Sequence, residues 1–154
     1  AGGNVDVKYA GEPDNNGYSN KQILFVGIDW LRKGGAELTR AFRTVLESHP
    51  DARLVIAGSD TPLDLPNCRV LGYMNARELS RHYSQSSIFC LPTKREPFGI
   101  AFVEAMMHRL PIVGTRVGAV PDMVEDGVNG FLVEPGQSDT LARVLCTLLD
   151  SPQL

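Results

Sequence analysis

Short, unbroken apolar runs alternate along the chain with longer stretches whose apolar residues recur at helical spacing. Gln22-Ile-Leu-Phe-Val26 runs into Gly27, and Arg53-Leu-Val-Ile-Ala57 into Gly58. Continuous runs of this length, closed by glycine, predict strands buried on both faces. Cys68 to Leu71, ending at Gly72, Ser87 to Leu91, closed by Pro92, Pro111 to Gly114 and Phe131 to Val133 read as further short strands. Between them, Gly35 to Ser48 places Leu38, Ala41, Phe42, Val45 and Leu46 on one helical stripe. Ala76 to Ser84 opens after Asn75, a favourable cap. Phe98 to Met107 and Ser138 to Leu149 read as helices, and Pro121 to Val124 as a helical turn. Residues 1–20 are rich in Gly, Asn, Asp and Pro, with one extended candidate from Val5 to Tyr9. They read as a linker or lead-in strand before a single domain over residues 21–154. Strands alternating with helices predict an α/β, doubly wound parallel sheet of Rossmann-like type. Ligands of such sheets sit outside the carboxyl ends of the strands, so the loops after Val26, Ala57, Leu71, Leu91 and Gly114 are the ones to inspect.

Composition narrows this picture. The 154 residues are 43% hydrophobic and 21% charged, the mix of a globular domain. A formal net charge of −3 leaves no broad cationic field for nucleic acid or an anionic membrane, so any anion site is local. No apolar run approaches the length of a spanning helix, and no signal peptide opens the chain. The first residue is Ala1, which reads as the start of a processed or excised segment. Cys68, Cys90 and Cys146 fit no zinc spacing and cannot all pair with one another, so buried, reduced thiols and a cytoplasmic location are expected.

The segment richest in chemistry is Pro92 to Glu104, running from a strand end into a helix. If the helix starts near Phe98 or Gly99, the amides of Gly99, Ile100 and Ala101 have no intrahelical partners and offer an anion site. Glu104 follows Ile100 by four residues on the same face, where a carboxylate can accept two ribose hydroxyls. Its neighbours Phe102, Val103, Ala105 and Met106 are all apolar, which predicts a lone carboxylate on a helix buried all round. Glu96 precedes the helix and can accept hydroxyls of a sugar beyond the phosphates. The plainer alternatives are that Glu96 complements the helix dipole and that Glu104 is a surface residue. Arg32-Lys33-Gly34-Gly35 forms a second signal: Lys33 lies just before a helix, where the dipole disfavours a cation unless an anion shares the site. No dinucleotide fingerprint, Walker sequence, His-rich spacing or pair of aspartates one residue apart is present, so neither a metal nor another cofactor is expected.

Taken in order, Glu96-Pro-Phe-Gly-Ile, Glu104-Ala-Met-Met, Leu110-Pro-Ile-Val-Gly-Thr, Val117-Gly-Ala-Val-Pro-Asp and Asp126-Gly-Val-Asn-Gly-Phe-Leu-Val resemble glycosyltransferase family 4. Seven residues separate Glu96 from Glu104. The resemblance is to the carboxy-terminal, donor-binding half of the two-domain GT-B architecture and covers roughly residues 22 to 150. It implies a retaining, metal-independent transfer of sugar from a nucleotide sugar to an acceptor. In that reading Glu104 takes the ribose, Glu96 the donor sugar, and Lys33 the diphosphate. The backbone of Phe98, Gly99 and Ile100 serves sugar or diphosphate, and the base lies near Gly58-Ser59 and Gly72-Tyr73-Met74. Glu96 and Lys33 are the catalytic pair.

Three positions depart from the family pattern. Ile28 stands where a diphosphate-binding arginine is usual, with Arg32 the candidate substitute. Arg109 replaces a glycine after the Glu104 helix, which implies either strain or a different helix termination. Gly118-Ala119 replaces a glycine pair. His49 and His82 read as surface residues and His108 lies at the far end of the Glu104 helix, so no histidine is assigned a catalytic role. The partners implied are a nucleotide-sugar donor and a missing amino-terminal acceptor-binding domain, through which any peripheral membrane association would run. An epimerase of the same architecture acting on nucleotide sugars and a non-catalytic nucleotide-sugar-binding module are the alternatives.

Overall fold

A computed structural model describes residues 20–151 of the chain. The proposed lead-in strand from Val5 to Tyr9 lies outside these residues. Six strands, β1 (Gln22–Val26), β2 (Arg53–Ala57), β3 (Cys68–Gly72), β4 (Ile88–Cys90), β5 (Ile112–Thr115) and β6 (Gly130–Val133), form one sheet in the order β3-β2-β1-β4-β5-β6. Every pairing is parallel. The helices are α1 (Gly35–Ser48), α2 (Ala76–Gln85), α3 (Ile100–Met107), α4 (Val120–Met123) and α5 (Ser138–Asp150). The doubly wound sheet expected from the strand and helix alternation is therefore present.

The central strands explain their own burial. Ile23, Leu24 and Phe25 of β1 and Leu54 and Ile56 of β2 are fully buried on both faces of the sheet. α1 joins β1 to β2 and α3 joins β4 to β5, in opposite directions from the sheet centre, so right-handed crossovers put them on opposite faces. α5 returns to pack on α1. On the other face α2 lies beside α3, where the Tyr83 hydroxyl donates to Ala101 O at 3.4 Å. β3 is one of the two edge strands and is only half buried, in keeping with its mixed Cys-Arg-Val-Leu-Gly sequence.

Helix ends follow local chemistry. Asn75 caps α2 as expected: its side chain accepts from Glu78 N at 2.9 Å, while Glu78 accepts from Asn75 N at 3.1 Å. α3 starts at Ile100 with Gly99 as its cap, later than the expected start near Phe98. At its other end Arg109 N donates to Met106 O at 2.9 Å and Leu110 N to Ala105 O at 3.2 Å. This is the termination a glycine usually makes, and Arg109 makes it with φ of 60°. Of the two outcomes open for Arg109, backbone strain is the one found.

Two side-chain expectations are corrected. His49 is not a surface residue: it is buried, and its ring bonds Asp150 at 2.9 Å, tying the end of α1 to the end of α5. Its position before Pro50 hid this, because the partner lies at the far end of the described chain. His82 is half buried rather than exposed, and its Nδ1 has no hydrogen-bond partner. Only Cys90 is fully buried; Cys68 and Cys146 are half buried, and all three are free thiols. Burial pushes the Cys68 thiol up to about 11 and raises the other two as well, so none is a ready thiolate. No helix among the described residues is long and apolar enough to cross a membrane.

Two stability predictions follow from these contacts. Gly34 has φ of 85°, and a Cβ there would meet Pro92 O at 1.9 Å. Gly34→Ala should lose more than the roughly 1–2 kcal/mol of a left-handed residue alone, lowering Tm by at least about 3 °C. A melting curve matching wild type would mean that the α1 and β4 loops are not held this close. For His82, burial first, and then Arg69 and Arg81, lower its pKa below the ordinary 6.5. The unfolded chain therefore takes up the proton first on acidification, and the stability present above the ordinary value is lost as pH falls through the folded value. Melting at about pH 7 and pH 5.5 should show a larger acid loss for wild type than for His82→Gln. Equal losses would show that His82 charges freely in the folded state.

Candidate functional site

Neighbouring strands β1 and β4 lead into helices on opposite faces, which opens a crevice above their carboxyl ends. Two loops converge there. In the β1–α1 loop, Lys33 N donates to Asp29 O at 2.9 Å, and the lysine stem lies across Gly27, where a Cβ would meet Lys33 Cγ at 2.9 Å. The chain thus needs no side chain at Gly27 to lay Lys33 over the strand end. In the β4–α3 loop, Lys94 N donates to Arg32 O at 2.8 Å, joining the two loops through their backbones. Thr93 bonds within its own loop, its hydroxyl donating to Arg95 O at 2.6 Å, and it receives the Thr115 hydroxyl on its carbonyl oxygen.

This framework brings Lys33 and Glu96 together. Lys33 Nζ donates to Glu96 Oε1 at 2.6 Å, with both side chains largely shielded from solvent. Glu96 is 7% exposed. Its Oε2 accepts from Gly99 N at 3.1 Å, and its backbone oxygen accepts from Ala119 N at 2.9 Å. Gly118, with φ of 52°, permits that last approach, since a Cβ there would lie 2.3 Å from Glu96 O. Ala119 has ordinary right-handed geometry, so the second glycine of the family pair is not needed here.

The anion that offsets Lys33 at the head of α1 is therefore Glu96 itself. The same carboxylate corrects the expectation of three free amides. Gly99 N is occupied, while Ile100 and Ala101 begin the helix where no intrahelical carbonyl can reach them. Phe98 stands in the loop, 77% exposed. Arg32 turns its guanidinium to Asp29 at 3.3 Å and to Arg95 O at 3.3 Å, bracing the two loops, while Ile28 is exposed.

Glu104 lies one turn further along α3. The helix is not buried all round: Ile100, Val103 and Met107 form an exposed apolar stripe. An eight-residue apolar sequence carries no periodicity from which to read a buried face, so burial could not be assigned from composition alone. Glu104 is half buried, and Tyr83 of α2 brings its hydroxyl to 3.4 Å from Oε1. Burial first, and then the Glu104 charge, raise the Tyr83 pKa, so the phenol stays protonated as a donor. His108 stacks on Tyr83 at 4.9 Å, sits 2.9 Å from Glu104 O through Nδ1 and 3.2 Å from Ser80 through Nε2. The α2 residues Tyr83 and Ser80 were missed by sequence reasoning, since helix pairing across the fold carries no local signal.

On the other side of the crevice Gly58 N donates to Gly72 O at 2.7 Å and Gly72 N to Ser59 O at 3.1 Å, locking the loops after β2 and β3 together. Tyr73 follows, 81% exposed, with Met74 half buried. Tyr73 and Met74 thus sit beyond the end of β3, while Gly58, at the end of β2, packs against Gly27, the residue under the Lys33 stem. A shallow cavity at the opposite, amino ends of β1–β3, lined by Gln22, Arg53, Asn67 and Arg69, lies away from all of these residues. Among the described residues no three of His, Cys, Asp and Glu gather where they could hold a metal ion.

Fold and site together define a Rossmann-like domain with a charged pair and a helix start at its switch point. Residues 20–151 match the family described as Glycosyl transferases group 1, and the chain belongs to that family. It is 35% identical over 133 residues to an uncharacterized glycosyltransferase of Methanocaldococcus jannaschii, covering 79% of this chain and 34% of that protein. It is 33% identical over 135 residues to a phosphatidyl-myo-inositol mannosyltransferase of Propionibacterium freudenreichii, covering 85% of this chain and 35% of the relative. The chain thus spans about a third of the length of these curated relatives. Among solved structures, the C-terminal domain of a glycosyl transferase group 1 family protein from Francisella tularensis is similar at TM-score 0.75 and 27% identity, over 84% of this chain and 75% of that one. The pneumococcal O-GlcNAc transferase in complex with UDP and GlcNAc shares the fold at TM-score 0.78 and 23% identity, over 92% of this chain and 31% of that one. The domain is therefore a carboxy-terminal domain of GT-B type.

Proposed function

We propose that this chain is the donor-binding domain of a retaining, metal-independent glycosyltransferase of family 4, moving sugar from a nucleotide sugar to an acceptor. The observation that carries this reading is the Lys33–Glu96 pair at the head of α3, 2.6 Å apart, at the switch point of the sheet. A departing nucleoside diphosphate gains negative charge as the glycosidic bond to it breaks. Lys33 and the amides of Ile100 and Ala101 offer that charge fixed donors without a metal. Glu96 accepts sugar hydroxyls, Glu104 the ribose hydroxyls, and Gly58, Tyr73 and Met74 border the base. Arg32 braces the phosphate side. The related pneumococcal transferase, solved with UDP and GlcNAc, supports a nucleotide-sugar donor.

Transfer also needs an acceptor hydroxyl held against the anomeric carbon, and positioning of this kind supplies much of the rate. An amino-terminal acceptor-binding domain provides it in this reading, and any membrane association runs through that domain. The free thiols suit a cytoplasmic enzyme.

Calorimetry with UDP, GDP and ADP tests the first claim: binding to at least one should survive a chelator unchanged, and binding that vanishes on chelation would rule out metal independence. Substitutions test the assignments. Lys33→Ala should weaken the diphosphate about tenfold to a hundredfold relative to the matching nucleoside, the worth of one charge-assisted hydrogen bond. Glu104→Gln should weaken nucleoside and diphosphate alike, because both carry the ribose. Equal losses for Lys33→Ala on both ligands would remove Lys33 from the phosphate site, and an unchanged nucleoside affinity in Glu104→Gln would remove Glu104 from the ribose.

A further inference from the structure

The Lys33–Glu96 contact sets two assigned roles against each other. Each oxygen of the Glu96 carboxylate already has a donor, Lys33 Nζ at 2.6 Å and Gly99 N at 3.1 Å. The carboxylate is only 7% exposed, so water cannot readily replace a donor that leaves. We propose that this pair is a ligand-free closure that discriminates between the intact donor and the spent nucleoside diphosphate, with Glu96 as the discriminating residue. The inference rests on the functional reading above.

The chemistry of the two ligands differs in one respect. A nucleoside diphosphate brings only acceptors to this end of the crevice. When Lys33 turns to its phosphates, Glu96 loses a partner and gains a neighbouring like charge. A nucleotide sugar brings hydroxyl donors as well, and these can satisfy the carboxylate that Lys33 has left. The closure therefore opposes diphosphate alone more than it opposes donor. Once the sugar has moved to the acceptor, Glu96 loses its hydroxyl partners and draws Lys33 back, which weakens the hold on the product. The fold keeps this competition tight. The lysine stem is laid across Gly27, and the Glu96 backbone is pinned by Ala119 N at 2.9 Å.

Glu96→Gln is the informative variant, since it keeps the shape and an amide oxygen for Gly99 N while removing the charge that holds Lys33. Calorimetry with UDP, GDP and ADP, and with the matching nucleosides, should show the preferred diphosphate binding about tenfold tighter to Glu96→Gln than to wild type, with nucleoside affinity unchanged. The same substitution in the Lys33→Met background should give little or no tightening, because the effect runs through the lysine. Equal tightening in both backgrounds would reduce Glu96 to a through-space charge and overturn the proposal. So would unchanged or weaker diphosphate binding in Glu96→Gln. Wild-type protein that gains nothing from the diphosphate over the nucleoside would overturn the functional reading itself, a separate result from either of these. If melting shows that Glu96→Gln is unfolded, Glu96→Ala is read in its place by the same criteria.

Discussion

Burying a carboxylate among loops is costly unless each of its oxygens has a donor, and Glu96 is held under that constraint from three directions. The β1–α1 loop supplies Lys33, the start of α3 supplies Gly99 N, and the β5–α4 loop supplies Ala119 N to the Glu96 backbone. Each contact also fixes the loop that makes it. Lys33 reaches Glu96 with its stem laid across Gly27, and Ala119 reaches it beside a left-handed Gly118 that leaves room for the Glu96 backbone. The crevice above β1 and β4 is thus organised around one side chain, and the surrounding glycines mark places where that side chain's neighbours must approach closely.

This accounts for which family departures the fold absorbs. Ala119 substitutes for a glycine without strain because its position needs only right-handed backbone. Arg109 occupies a position that does need left-handed backbone, and it pays there in conformation, at φ of 60°, while keeping both hydrogen bonds of the helix end. Ile28 stands exposed where the family pattern has an arginine, and Arg32 takes up a bracing role between Asp29 and Arg95 O.

The sheet was legible because strands buried on both faces leave a signal that does not depend on partners. β1, β2 and α1 carry the boundaries read from sequence, and the Asn75 cap is a local pattern that the structure realises in full. Glu96, Glu104 and Lys33 were legible as candidates from their loops and spacing. Their relations were not. Lys33 and Glu96 are 63 residues apart, and only the adjacency of β1 and β4 brings them into contact. The same holds for His49 with Asp150 and for Tyr83 with Glu104, where the partner lies on another helix. The surroundings of Glu104 were misjudged for a different reason: a helix made almost wholly of apolar residues does not say which face the core takes, and here Ile100, Val103 and Met107 face outward.

The distribution of rigidity across the crevice follows from the strand order. β1 and β4 lie at the middle of the sheet, covered on both faces, and the loops they carry are cross-linked by side chain and backbone. β3 is an edge strand with a register shift where it meets β2 between Ile56 and Ala57, and Tyr73 beyond it stands in solvent. Groups that must meet developing charge need fixed positions, because an electrostatic contribution that requires reorganisation during the reaction is largely lost. Groups that border a planar base need a surface more than a fixed charge. On the proposed reading, the sugar and diphosphate lie over the braced centre of the sheet and the base over its looser edge. A substitution at Tyr73 or Met74 then alters which nucleotide fits without disturbing the Lys33–Glu96 pair, because no hydrogen bond between the described residues links the two ends except through the sheet itself.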